Sequence, residues 1–419
     1  MRPTQKGGIT MLCQFTVKNY KSLRDENTLD MQAASISEHT DKIIHTADGH
    51  DFLPVASLYG PNGGGKTNVL EAIEALRLKV INPITVTNTG AARGYSPANL
   101  LYPKPYMFSE ECKNAPTEFE IFFRAEYAEY RYILHVQDKK VRYESLDRIK
   151  FETNRKSALF ERDDDGIRLK GAFAKLKISE GLSDTLPLLS YLGITYMDNP
   201  IVKDVTEWFM YKLFFLDYGN PLDELILDVN PTEPMKGFFM AMLREMDIDI
   251  EDYRVEKQKG HTTEVYTIHE VDGYREELNL KDESQGTRKL FRLLPFIVRC
   301  LIRGTTLVVD ELDSKIHPVL LGYIISLFTD MRINKNGAQL IFTSHDLSTM
   351  NSETFRRDEI WFVAKGNEQN SMLYSMVDFK MPNGEIVRKD SRFDKQYLEG
   401  RYGADPYLRK IIDWSELDG

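Results

Sequence analysis

The stretch Gly60-Pro61-Asn62-Gly63-Gly64-Gly65-Lys66-Thr67 constrains this chain more than any other part of it. It fits the pattern G-x-x-x-x-G-K-[ST]. Glycines at these places let backbone N–H groups converge on phosphate oxygens with no side chain in the way. The apolar run Val55-Ala56-Ser57-Leu58-Tyr59 stops at Gly60, and Val69, Leu70, Ile73 and Leu76 then recur at helical spacing. A strand, a glycine loop and a helix in that order place the positive end of the helix behind the phosphates. On this reading Gly60 to Thr67, with Asn68 after them, bind ATP. Lys66 bridges the β- and γ-phosphates, and Thr67 offers its hydroxyl to Mg2+. Strands alternating with helices around such a loop imply an α/β fold with a mostly parallel core sheet.

Three further constellations follow. Thr306-Leu307-Val308-Val309-Asp310-Glu311 is an apolar strand ending in two carboxylates. Asp310 suits Mg2+, held through its water shell. Glu311 suits the work of polarising an attacking water. Leu340-Ile341-Phe342-Thr343-Ser344-His345 is a second apolar strand ending in a histidine, placed to sense the γ-phosphate. Asp282-Glu283-Ser284-Gln285-Gly286-Thr287 opens a helical stretch, so Ser284 to Gly286 present a hydroxyl and a helix N-terminus to an anion. In isolation that stretch reads equally as a helix cap.

The order of these motifs resembles the ABC-type ATPase head, and more narrowly the branch holding the RecF, Rad50/SMC and OLD-type ATPases. Ser284-Gln285-Gly286 stands where that branch has its signature motif. The opening Asn19-Tyr20-Lys21-Ser22 resembles the branch's N-[FY]-[KR]-S motif, which points to Lys21 as a residue near nucleotide. The run Asp310-Glu311-Leu312-Asp313-Ser314-Lys315-Ile316-His317-Pro318 is similar to that of small AAA15/AAA21-type ATP-binding proteins. So are Asp358-Glu359-Ile360-Trp361-Phe362 and Tyr397-Leu398-Glu399-Gly400-Arg401-Tyr402-Gly403-Ala404. The resemblance implies a slow ATPase whose signature completes the site of a second head, hence a homodimer or a higher even oligomer. It also implies a switch acting on a nuclease or toxin-like effector encoded beside it, in bacterial abortive-infection defence against phage. The alternative within the same branch is a DNA-binding repair or maintenance ATPase.

The sequence departs from some relatives. Only 74 residues follow His345, too few for the Toprim domain of OLD-type nucleases. About 217 residues separate loop and signature without heptads, so no Rad50-like coiled coil is expected. Neither Gln32 nor Gln137 stands in a convincing Q-loop context.

Composition narrows the partners. Lys and Arg total 54 against 64 Asp and Glu, a net charge of −10, which excludes a polybasic coat for nucleic acid. Residues 139–177 are nonetheless locally basic, twelve Lys/Arg against seven Asp/Glu, and offer a possible track for phosphates. Residues 217–252 are acidic and form a candidate partner surface. Three cysteines without a CxxC argue against disulfides and zinc and point to a cytoplasmic location. No apolar run reaches membrane length. His261 and His269 read as strand residues, and Asp163-Asp164-Asp165 as a hairpin turn.

The expected organisation is an ABC-type P-loop head with a mixed sheet core, an antiparallel β subdomain and an inserted helical lobe. Residues 11–180 form the N-terminal lobe with the phosphate loop and the antiparallel segment. Residues 181–260 form a separate helical lobe. Residues 261–419 form the C-terminal lobe with signature, carboxylate pair and His345. The glycine-loop helix is expected to end by Leu78, with 82–115 irregular.

Overall fold

The computed structural model describes residues 8–89, 102–216, 233–256, 264–380, 386–389 and 391–404. Its centre is a six-stranded sheet in the order β11 (Leu213–Leu216), β15 (Thr306–Val309), β16 (Gln339–Thr343), β5 (Val55–Tyr59), β17 (Ile360–Lys365), β18 (Ser371–Ser375). All neighbours are parallel except β17 and β18, which form an antiparallel hairpin. Because β-strand side chains alternate between faces, each central strand serves two cores. Ala56, Leu58, Val308, Ile341 and Val363 join one cluster, whereas Val55, Tyr59, Leu307, Val309, Leu340 and Phe342 join the other. Burial on both faces is why these strands read as continuous apolar runs.

The first core lies under a seven-stranded antiparallel sheet. Its order is β10 (Gly166–Leu169), β9 (Lys156–Asp163), β8 (Lys140–Lys150), β7 (Ala128–Gln137), β6 (Thr117–Arg124), β1 (Met11–Lys18), β2 (Asn27–Asp30). This is the meander that alternation predicts, and Asp163 to Gly166 make the hairpin between β9 and β10. Helix α1 (Lys66–Thr89) contributes Val69, Ile73, Leu76 and Val80 to that core. Gln339 ties the two sheets together. Its Oε1 accepts from Leu12 N at 2.8 Å and Thr306 Oγ1 at 3.0 Å, and its Nε2 donates to Leu12 O and Leu53 O.

Three expectations need correction. First, α1 runs through Pro83 to Thr89, so residues 82–89 are helix, not loop. A helix-interior proline costs about 3 kcal/mol, but Val80, Ile81 and Ile84 are buried on the same helix. Helix α3 (Leu188–Thr195) packs closely there, since a Cβ on Gly193 would lie 2.6 Å from Ile84 Cδ1. Second, Leu213-Phe214-Phe215-Leu216 is an edge strand of the central sheet, inside a stretch expected to be mainly helical.

Third, the described residues of 181–260 are shared between two cores and do not form one lobe. Helix α4 (Pro200–Tyr211), capped by Asn199, sends Val202, Val205, Trp208 and Phe209 into the first core together with α3. Helix α5 (Glu233–Glu245) sends Phe239, Met240, Met242 and Leu243 into the second. Each helix is apolar on one side and covers a different layer. The acidic 217–252 stretch lies outside the described residues from 217 to 232, and His261 lies outside them too.

The second core is closed by α6 (Gln285–Arg303) and α7 (Pro318–Thr329). A three-stranded antiparallel sheet of β12 (Asp252–Glu256), β13 (Glu264–Val271) and β14 (Tyr274–Asn279) leads into α6. Among the described residues no helix is long and apolar enough to cross a membrane.

Candidate functional site

Strands β15, β16 and β5 are adjacent and parallel, so their carboxyl ends share one rim, the usual place for a ligand in an open α/β sheet. Gly60 follows β5, Asp310 follows β15 and Ser344-His345 follow β16. One cleft of about 230 Å3 opens at that rim, lined by Pro61 to Asn68, Asp310, Glu311, Thr343, His345 and Ser22.

The loop owes its shape to its glycines. Gly65 has φ +104°, and a Cβ there would lie 2.2 Å from Ser371 Oγ and 2.8 Å from Ser22 Oγ. A Cβ on Gly60 would lie 2.3 Å from Val363 O. Lys66 is buried, and its ammonium folds back on the loop, donating to Gly60 O at 2.9 Å and Pro61 O at 3.3 Å. Burial lowers its pKa, opposed by the charges of Asp310, Glu311 and Asp313. A cation held only by carbonyls in that position suits a phosphate group.

The hydroxyl and carboxylate assigned to Mg2+ meet directly. Thr67 Oγ1 donates to Asp310 Oδ2 at 2.8 Å, although 243 residues separate them. Thr343 Oγ1 donates to the other oxygen, Asp310 Oδ1, and accepts from Glu311 N at 2.7 Å. One hydroxyl therefore fixes both acids at the strand end. Glu311 has φ +48°, a left-handed conformation uncommon outside glycine, and its side chain is exposed toward the cleft. His345 is also exposed there, and its backbone N donates to Asp313 Oδ2 at 3.0 Å. The donor set of a lysine, a threonine hydroxyl, an aspartate and convergent backbone amides fits a nucleoside triphosphate with Mg2+.

Other expected site residues lie elsewhere. Lys21 does not line the cleft; its ammonium pairs with Glu71 on α1, and its neighbour Ser22 takes the place at the loop. Ser284, Gln285 and Gly286 also lie outside their own chain's cleft. Ser284 caps α6, accepting from Thr287 N at 3.1 Å, and Ser284 and Gln285 are exposed. Gln32 and Gln137 are absent from the cleft lining. His317 caps α7 by accepting from Val319 N, with Pro318 in the first turn where its missing N–H is no loss. His269 bonds to Glu283 Oε1 at 2.8 Å.

Ser22, Thr343 and Ser371 belong to the site but carry little signal in the sequence. Ser371 Oγ donates to Gly64 O at 2.6 Å and to Ser22 Oγ at 2.7 Å, and Ser22 Oγ accepts from Asn68 Nδ2 at 2.6 Å. Ser22 and Thr343 sit inside or beside quoted motifs and were within reach of the reading. Ser371 lies more than 300 residues from Gly64, on β18, with no local pattern to mark it.

Comparison with known proteins bears out the family resemblance. A family model described as "AAA domain, putative AbiEii toxin, Type IV TA system" matches residues 55–351. No curated protein matches. Among solved structures, the chain is similar to the SMC head domain from Thermotoga maritima at 13% identity and TM-score 0.39, covering 87% of this chain and 98% of that one. It is also similar to an SmcHead bound to the C-winged helix domain of ScpA, at 12% identity and TM-score 0.42, over 87% and 98% of the two chains. A third is an Smc head domain with an extended coiled coil bound to the C-terminal domain of ScpA, derived from Pyrococcus furiosus. It is 10% identical with TM-score 0.42, over 87% and 96%.

Proposed function

We propose a function from one premise: the chain belongs to this AAA-domain family, whose model matches residues 55–351, and is an ABC-type P-loop ATPase. Our reading is an ATP-hydrolysing switch in which two heads close on ATP, reopen on slow hydrolysis, and so control a partner effector in abortive-infection defence. The observation that carries it is the link from Thr67 to Asp310 to Thr343 to Glu311, which joins the loop to both acids.

In this reading Lys66 leaves the carbonyls of Gly60 and Pro61 for the β- and γ-phosphates. Thr67 and Asp310 would hold Mg2+, which would supply positive charge against the phosphates. Glu311 orients the attacking water and takes its proton, and His345 contacts the γ-phosphate. Ser284 and Gln285, both exposed, and the half-buried Gly286 lie away from their own cleft and complete the site of a second head. An effector encoded nearby reads the closed or open state.

The DNA-binding alternative rests on the basic stretch 139–177. There Lys140 pairs with Asp184, Lys156 with Asp147, Arg168 with Asp163, and Lys170 with Glu161, so four of the twelve basic side chains are already engaged in ion pairs. We therefore place the effector switch first.

Two variants test the reading by ATP turnover and nucleotide binding. Lys66→Ala is expected to lose both, by ~100-fold or more. Glu311→Gln is expected to keep binding and lose ~100-fold or more in turnover. Unchanged turnover in Glu311→Gln would remove Glu311 from the chemistry. Co-purification with the product of a flanking gene, through a tag on this chain, tests the effector half.

A further inference from the structure

Lys289 is a buried lysine on α6, five residues beyond Ser284. Its ammonium donates to three backbone carbonyls of one short segment: Glu311 O at 2.8 Å, Leu312 O at 2.9 Å and Ser314 O at 2.8 Å. That segment carries the carboxylate facing the phosphate loop. We propose that Lys289 is a positioning residue that couples the Ser284-Gln285-Gly286 turn to the Glu311 carboxylate of the same head. The proposal rests on the role given to Glu311 above.

The segment after Asp310 is poised to respond to such a clamp. Glu311 and Lys315 both hold left-handed backbones, with φ +48° and +61°. Non-glycine residues keep that conformation only where their surroundings impose it. For Glu311 the surroundings are few: its N–H meets Thr343 Oγ1, and its C=O accepts from Ser314 N and from Lys289. The side-chain direction of Glu311 follows its backbone, so the lysine helps decide where the carboxylate points.

The other end of the clamp is the signature turn. Gly286 lies so close to this segment that a Cβ there would be 3.1 Å from Lys315 O. The first turn of α6 thus touches the segment at Gly286 and grips it at Lys289. When the Ser284 turn engages an anion on a second head, any tilt of that turn is carried one helical turn on to the Glu311 carbonyl. A lysine is an expensive choice for mere filling here, because burial pushes its ammonium down to about 8. An apolar side chain would fill the space without that penalty.

A double-mutant cycle on the full chain tests this, using single-turnover hydrolysis of Mg-ATP and equilibrium ATP binding. Lys289→Met is expected to slow hydrolysis by ~10- to 100-fold while ATP binding stays within ~3-fold, because the interaction matters in the transition state rather than the ground state. Lys289→Arg, which keeps the charge and the donors, should recover part of the rate. In a Glu311→Gln background Lys289→Met should add no further loss, since the lysine acts through that carboxylate. An equal fold-loss in both backgrounds, or full activity in Lys289→Met, would overturn the proposal. Wild-type turnover in Glu311→Gln alone would instead overturn the reading of Glu311. Should Lys289→Met fail to fold, Lys289→Gln, a donor of shorter reach, carries the same cycle.

Discussion

At the scale of single residues, the opening motif divides its labour in a way its letters do not reveal. Asn19 sits at φ +56°, and its amide Nδ2 donates to Cys112 O, Ala115 O and Pro116 O while Oδ1 accepts from Tyr106 N. Tyr20 is fully buried, Lys21 pairs with Glu71, and Ser22 reaches the glycine loop. Asparagine tolerates the left-handed backbone better than alanine does. Asn19→Ala should therefore lower stability by about 3 kcal/mol through stranded carbonyls and backbone strain, read from the urea midpoint. The site residues legible in the sequence were those whose chemistry is local: Gly60 to Thr67, Asp310, Glu311 and His345. Ser371 was not legible because its role is a contact across the fold, and Lys21 was misplaced because a motif shows which residues recur but not which way each points.

At the scale of elements, periodicity marked most strands and helices and failed where packing overrode local preference. The glycine-loop helix is expected to end by Leu78, yet α1 continues through Pro83 because Ile84 packs against Gly193. Leu213 to Leu216 is too short for its period to separate strand from helix. The motif Asp358-Glu359-Ile360-Trp361-Phe362 proves to be a buried polar turn feeding β17. Arg356 pairs with Asp358, and Arg357 with Glu38, joining this turn to the N-terminal segment.

Glu359 in that turn is fully buried, its Oε1 has no partner among the described residues, and burial raises its pKa from 4.5 to about 8. The fold therefore keeps a proton that the unfolded chain releases near pH 4.5. Between that pH and about 8 the folded state binds more protons, so this group's contribution to stability declines as pH rises and levels off above. Glu359→Gln removes the titration. Urea denaturation should show the variant gaining on the wild type across that window, by up to about 5 kcal/mol at the alkaline end. A gap that does not change with pH would contradict the assignment. The final motif is structural in the same sense: Tyr397 and Tyr402 both stack on Phe362, and Tyr397 Oη donates to Ala404 O at 3.0 Å.

At the scale of the whole molecule, the two layers of sheet meet through α1 and Gln339, and the cleft opens at the rim of three parallel strands. The layering and the family were legible from the order of the motifs. The sharing of residues 181–260 between two cores was not, since it depends on which face each amphipathic helix covers. One head holds the loop, Lys66 and both carboxylates together but keeps its Ser284-Gln285-Gly286 turn elsewhere, so the account requires a second head. The most direct measurement is the native mass of Glu311→Gln with Mg-ATP, with Mg-ADP and without nucleotide. The account predicts a doubling, or a step to a higher even number of chains, with Mg-ATP alone, and none in Lys66→Ala. A mass unchanged by Mg-ATP in a variant shown to bind it would contradict the account.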